Sequence, residues 1–178
     1  MNLEMLLNGY LNDPRCFKIV DRVTASQPHQ IQLTNLHGSA APFIVSAVFN
    51  HASASQLNHL IILRDAEEAA YFHNTLENIT SALNLFYFPS SFKNKKNYRL
   101  LNASHVMLRT ECLTRFSNPH GENRVGAIVT YPEALFEKVV KPEVLNKSRI
   151  EVKKGEELDA EFVIQVLVEY GFERADFV

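Results

Sequence analysis

The sequence predicts an α/β fold, a parallel sheet with flanking helices, on three observations. Apolar runs of strand length alternate along most of the chain with amphipathic stretches of helical spacing. That alternation calls for helical crossovers between parallel strands. With 178 residues, 46% hydrophobic and 21% charged, the chain can bury one substantial core and the beginning of a second.

The first 25 residues read as helix, with Leu3, Leu6, Leu7, Tyr10 and Leu11 on one stripe. Asp13-Pro14 interrupts it, and Phe17, Val20 and Val23 continue as a second stripe. Gln27-Pro28-His29-Gln30 ends this part. A strand is expected at Ile31 to Leu36, a turn at Gly38, and a helix from Pro42 to His51. Strand Leu60 to Leu63, helix Asp65 to about Ile79 and strand Leu85 to Phe88 follow in order. The helix is the best specified, because Asp65 and Glu68 form a D-x-x-E capping pair and Ala69, Phe72, Leu76 and Ile79 recur at helical spacing.

After Phe88 the loop PSSFKNKKN leads to a helix holding Val106, Leu108, Leu113 and Phe116. A polar break at Asn118-Pro119-His120-Gly121 precedes a fourth strand, Ala127-Ile128-Val129. Pro132 in Tyr131-Pro132-Glu133-Ala134-Leu135-Phe136 suits the first position of a short helix.

Beyond Pro142 the character changes. Arg149 to Lys153 alternates like a half-exposed strand, Gly155 turns the chain, and Asp159 is placed to cap a helix with Leu158 and Val163 as its hydrophobic staple. Phe162, Val166, Leu167 and Tyr170 are its expected buried stripe, ending at Gly171, and a last strand runs from Arg174 to Val178. Two domains follow from this reading, residues 1–147 and the beginning of a smaller α+β domain at 148–178. About 30 residues cannot bury a core alone, so the chain is expected to break off inside a longer protein.

Cys16 and Cys112 stand far apart, without a C-x-x-C pair or a secretory leader, which fits two packed side chains in a reducing cytoplasm. No apolar run approaches the roughly 20 residues a membrane span requires. The net charge of −2 leaves no global footprint for nucleic acid. Two local basic stretches exist, Lys93, Lys95, Lys96 and Arg99, then Lys138, Lys141, Lys147, Arg149, Lys153 and Lys154. Without interleaved aromatics they read as solvated surface. The seven histidines show no metal-ligand spacing, and no nucleophile elbow is present. No catalytic residue, metal site or resident cofactor is expected.

The turn Leu36-His37-Gly38-Ser39-Ala40-Ala41-Pro42, between a strand and a helix, copies the layout of a phosphate-binding Walker A loop. Such a loop holds phosphate with backbone N–H groups, a lysine and a Mg²⁺-binding hydroxyl. Ala41 stands at the lysine position and Pro42 at the hydroxyl position, so charge, metal ligand and one N–H donor are lost together. Nucleotide hydrolysis is not expected. The other reading of Gly38 is a plain strand-to-helix turn. Asp65 after Leu60-Ile61-Ile62-Leu63-Arg64 resembles a Walker B acid but is accounted for as a helix cap.

Three segments carry a resemblance: LTNLHGSAAPFIVSAVF, IVTYPEALFEKVV at Ile128 to Val140, and above all IEVKKGEELDAEFVIQVLVEYGFERADFV at Ile150 to Val178. With them the chain resembles the N-terminal, UvrB-like region of the bacterial transcription-repair coupling factors, the Mfd family. The likeness covers most of the chain beyond residue 30, loosely over Asn84 to Asn123. It implies a helicase-like first domain with a degenerate Walker A loop, then the start of an inserted domain that binds UvrA and brings nucleotide-excision repair to stalled RNA polymerase. Arg174 in GFERADFV aligns with a UvrB arginine that takes part in UvrA binding, and Lys153 and Lys154 are assigned to the same surface. ATP and Mg²⁺ belong to a downstream DNA-translocase motor, and RNA polymerase and DNA to other domains of the parent. A free-standing intracellular α/β interaction module and a nucleotide-binding ATPase-like domain are the alternatives.

Overall fold

The computed structural model describes residues 2–51, 54, 56–80, 84–92, 100–117, 126–147, 155, 157 and 159–169, without the side chains of 146, 147 and 169. The chain divides into two compact units, Met1–Pro142 and Glu143–Val178. The elements of the first are α1 (Leu3–Leu11), α2 (Pro14–Val23), α3 (Ala40–Asn50), β1 (His59–Ile62), α4 (Ala66–Ile79), β2 (Leu85–Phe88), α5 (Ala103–Ser117), β3 (Ala127–Thr130) and α6 (Pro132–Leu135). Next, α7 (Pro142–Lys147) starts at the last residue of that unit, and α8 (Ala160–Glu169) belongs to the second.

Asn12 ends α1 and Asp13 begins α2. The Asp13 carboxylate accepts from the N–H of Arg15, and Pro14 occupies the first turn of α2, where a missing N–H costs nothing. In α4 the expected cap forms, with Asp65 accepting from the N–H of Glu68 at 2.9 Å. The Glu68 carboxylate reaches back one residue further than a simple capping box and accepts from the N–H of Arg64.

The three strands form an open parallel sheet in the order β1-β3-β2. Chain path explains that order. From β1 to β2 the chain moves one way across the sheet, from β2 to β3 it moves back, and right-handed crossovers then place the two helices on opposite faces. Side chains agree with this. Tyr87 of β2 meets α4, donating to the carbonyl of Ala66, whereas its neighbours Phe86 and Phe88 meet Phe116 and Arg109 of α5. The core cluster of Ala69, Leu76, Phe88, Cys112, Val129 and Tyr131 lies in this layering. A smaller cluster of Val20, Val48 and Ala54 joins α2 to α3. At the base of the sheet a Cβ on Gly126 would stand 2.6 Å from the carbonyl oxygen of Asn84, so only glycine permits that approach of β2 and β3.

Three expectations need correction. Ile31 to Leu36 is not a strand, so three strands form and not four among the described residues. Its alternation of Ile31 and Leu33 is strand-like, but Asn35 lies in the left-handed region at φ 58° and ends the extended run, and the apolar side chains stay exposed. The helix after Gly38 starts at Ala40, two residues before Pro42. Pro42 is tolerated because first-turn N–H groups have no intrahelical partner. The α8 stripe is not buried either, since Phe162 is 58% exposed and Leu167 is exposed as well. Asp159 does cap α8, accepting from the N–H of Glu161, but the described residues of that unit offer these side chains no opposing face. Leu158, Tyr170, the Arg149–Lys153 strand and the Arg174–Val178 strand lie outside the described residues.

Both cysteines are buried and unpaired, and burial pushes the Cys112 thiol up to about 12. Among the described residues no helix is long and apolar enough to cross a membrane.

Candidate functional site

The turn singled out by sequence is exposed from Leu36 to Ser39, and burial begins at Pro42. Gly38 takes a left-handed conformation at φ +55° with open space where a Cβ would stand. The N–H of Ala40 is spent on the carbonyl of His37, and Ser39 makes no side-chain cap. Beside the turn lies a cavity of about 300 Å³ lined by Tyr10, Arg15, Cys16, Asn35, Leu36 and Ala40. Arg15, the one cation among its described lining residues, is already paired with Asp13 at 2.6 Å, and that hydrogen-bonded partner holds the Asp13 carboxyl down at about 2. Gly38, Ser39, Ala40, Ala41 and Pro42 therefore share one turn, but no strand leads into it and none of them supplies a charge. Lys153, Lys154 and Arg174 lie outside the described residues.

A denser constellation, not foreseen from sequence, sits at the carboxyl ends of β2 and β3. In open parallel sheets that is where ligands and partners are met, because the connecting loops diverge there. The loop after β2 contributes Ser90 and Ser91, α5 contributes His105 and Arg109, and the segment after β3 contributes Tyr131 and Glu137. The Glu137 carboxylate accepts from the Ser90 hydroxyl at 3.0 Å, the Ser91 N–H at 3.0 Å and the Ser91 hydroxyl, and it faces Arg109 Nε at 3.5 Å. Arg109 is only 5% exposed. Its Nη1 donates to the carbonyls of Pro89 and Ala134, and its guanidinium lies 4.0 Å from the centre of the Phe88 ring. The Tyr131 hydroxyl accepts from the N–H of Ser90, and His105 Nδ1 lies 2.8 Å from the Ser90 carbonyl.

Burial would raise the Glu137 pKa, yet the hydrogen bonds from Ser91 and Ser90, with the Arg109 charge, outweigh it and hold the carboxyl below its ordinary value. Burial lowers Arg109, opposed by Glu137. Both groups stay charged at neutral pH. Among the described residues, buried Arg109 Nη2 has no hydrogen-bond partner.

Chemically this is a clamp. The carboxylate has its acceptor sites filled and its charge matched, so it is no general base, and both serine hydroxyls are committed as donors. What the clamp does is fix three separate pieces of chain, the loop after β2, α5 and the segment from Tyr131 to Lys141. One trace of it in the sequence went unread. Arg109 falls on the buried stripe of α5, three residues after Val106 and three before Cys112, and a buried arginine requires a carboxylate. Among the described residues no group of three potential metal ligands comes together.

No family model and no curated protein matches the chain.

Proposed function

We propose that the chain is the N-terminal docking and regulatory module of a bacterial transcription-repair coupling factor, recruiting UvrA of nucleotide-excision repair to stalled RNA polymerase. The observation that carries this reading is the segment Ile150 to Val178, with its basic strand pattern, glycine turn, amphipathic helix and GFERADFV exit. The parallel order of β1, β3 and β2 with helices on both faces is compatible with a helicase-like first domain. The missing lysine and hydroxyl at Ala41 and Pro42 favour docking over phosphoryl transfer. ATP and Mg²⁺ then act in the downstream translocase motor of the parent, whose other domains meet RNA polymerase and DNA.

Arg174 suits the docking role because a guanidinium pairs bidentately with a carboxylate of the partner. Lys153 and Lys154 add charge to the same surface. Calorimetric titration of UvrA into the full-length parent protein, with and without Arg174→Ala, tests the reading. The expected result is a loss of affinity of about tenfold, ~1.4 kcal/mol. A folded parent that binds no UvrA would return the chain to an α/β interaction module of another partner.

A further inference from the structure

The sheet has two outer edges, and the chain closes only one of them. The Asn84 carbonyl accepts from the N–H of Ala127, so Phe86 and Phe88 turn their backbone groups toward β3, and Leu85 and Tyr87 turn theirs outward. The next outward position after Tyr87 is Pro89, which is buried and has no N–H to offer. Along β1 the N–H of His59 donates to the Gly126 carbonyl and that of Leu63 to the Thr130 carbonyl, each at 2.9 Å. His59, Ile61 and Leu63 therefore face β3, and the N–H and C=O of Leu60 and Ile62 point away from the sheet. Among the described residues no strand pairs with them. The β1 sequence His-Leu-Ile-Ile has no lysine, proline or bulge, the devices that keep strand edges apart.

The side chains at this edge are as open as the backbone. Register places Leu60 in line with Ile128 and Phe86, and Ile62 in line with Thr130 and Phe88, on the face that carries α5. That helix packs over β2, at the far side of the sheet, and Leu60 is left 56% exposed and Ile62 53%.

We propose that β1 pairs antiparallel with β1 of a second copy of this chain, joining the two sheets into one. The edge is complementary to itself. About a two-fold axis at Ile61, Leu60 of one copy lies opposite Ile62 of the other, and each outward N–H meets an outward C=O with none left over. The same register sets half-exposed aliphatic side chains side by side on both sides of the axis, the kind of cross-strand pair that stabilises antiparallel ladders. Charge does not oppose it. Beyond the ladder His59 faces Leu63 and Asn58 faces Arg64, whose guanidinium is already held by Asp65 at 3.2 Å, so no like charges meet. A strand of 4 residues buries far less than the ~1,200 Å² of a stable interface. The dimer is therefore weak and forms at high concentration. The contact lies within Met1–Pro142 and is independent of Arg174, Lys153 and Lys154.

Sedimentation equilibrium of the full chain, from about 10 µM to about 1 mM, tests this. The expected result is monomer at the lower end and a growing share of dimer toward the upper. Leu60→Lys with Ile62→Lys sets like charges directly opposite each other across the axis and should weaken the dimer roughly tenfold. Leu60→Lys with Ile62→Glu removes comparable aliphatic surface but sets each introduced lysine opposite an introduced carboxylate. It should keep the dimer within a few-fold of the wild type and make it sensitive to salt. Melting curves at the lowest concentration, where all three proteins are monomers, separate lost pairing from lost folding. The proposal is overturned by a wild type that stays monomeric throughout, or by a double-lysine variant that dimerises as the wild type does. It is also overturned if the two charged variants dimerise equally poorly, because the apolar face and not the strand register would then hold the copies together.

Discussion

The Gly38 turn and the Arg109–Glu137 clamp stand at two places where backbone leaves regular structure, and they differ in nearly every respect. The turn is contiguous in sequence, exposed, and held by one backbone hydrogen bond and a left-handed glycine. The clamp joins residues up to 47 positions apart, is nearly dry, and ties three segments through charge-assisted hydrogen bonds. A short motif catches the eye in a sequence because it is local. Energetic weight collects where distant residues converge on a buried charge.

The sharpest test of that contrast is Glu137→Ala. It leaves the Arg109 guanidinium buried without its counter-ion, and a loss of about 3–5 kcal/mol in urea unfolding is expected. A loss below about 1 kcal/mol would put the clamp on a level with the turn.

The same carboxylate gives a pH signature. Its folded pKa lies below the ordinary value, so its stabilisation is fully present above the ordinary carboxylate range and is lost as pH falls through that range toward the folded pKa. The difference in unfolding free energy between the wild type and Glu137→Gln should therefore stay level from neutral pH to the ordinary carboxylate range and shrink as pH falls through it. A constant difference would mean that Glu137 titrates alike in both states.

Gly126→Ala comes next in size. Its Cβ would meet the Asn84 carbonyl oxygen, which is backbone and cannot swing aside, at the base of the sheet that carries the clamp. A cost of about 1–3 kcal/mol is expected from thermal or urea melts. Gly38→Ala meets no neighbour and incurs only the left-handed backbone penalty, about 1 kcal/mol. If it cost more than Gly126→Ala, the turn would carry weight that its exposure does not suggest.

The smallest expected effect is none. Placing lysine and threonine back at the turn, as Ala41→Lys with Pro42→Thr, should give no rise in melting temperature with ATP and Mg²⁺, because no strand leads into that turn to set a phosphate cradle. A rise would show that the turn keeps phosphate-loop geometry.

Local signals in the sequence located most of the fold. Asp65 before Glu68, Pro132 after Tyr131, and the apolar runs around Ile61, Phe86 and Val129 each bring their own physical cause within a few residues. Ile31 to Leu36 misled because alternation describes a strand but does not provide a neighbour to pair with, and Asn35 turns the chain first. The stripe of α8 misled for a related reason, since periodicity marks an apolar face and leaves open what covers it. Of the candidate site, the Gly38 turn was legible and the clamp was not. Ser90, Ser91, Arg109 and Glu137 share no spacing, and they meet only because β2 and β3 lie side by side.

The order β1-β3-β2 also sets a timetable for synthesis. The strand that hydrogen-bonds to both others is the last of the three to be made. While a ribosome is still adding residues before Ala127, β1 and β2 have been translated but lack the strand that lies between them, and their apolar side chains have no ladder to fix them. Assembly of the sheet is a single late event, and until it happens the nascent chain is the kind of unfinished, sticky polypeptide that chaperones hold.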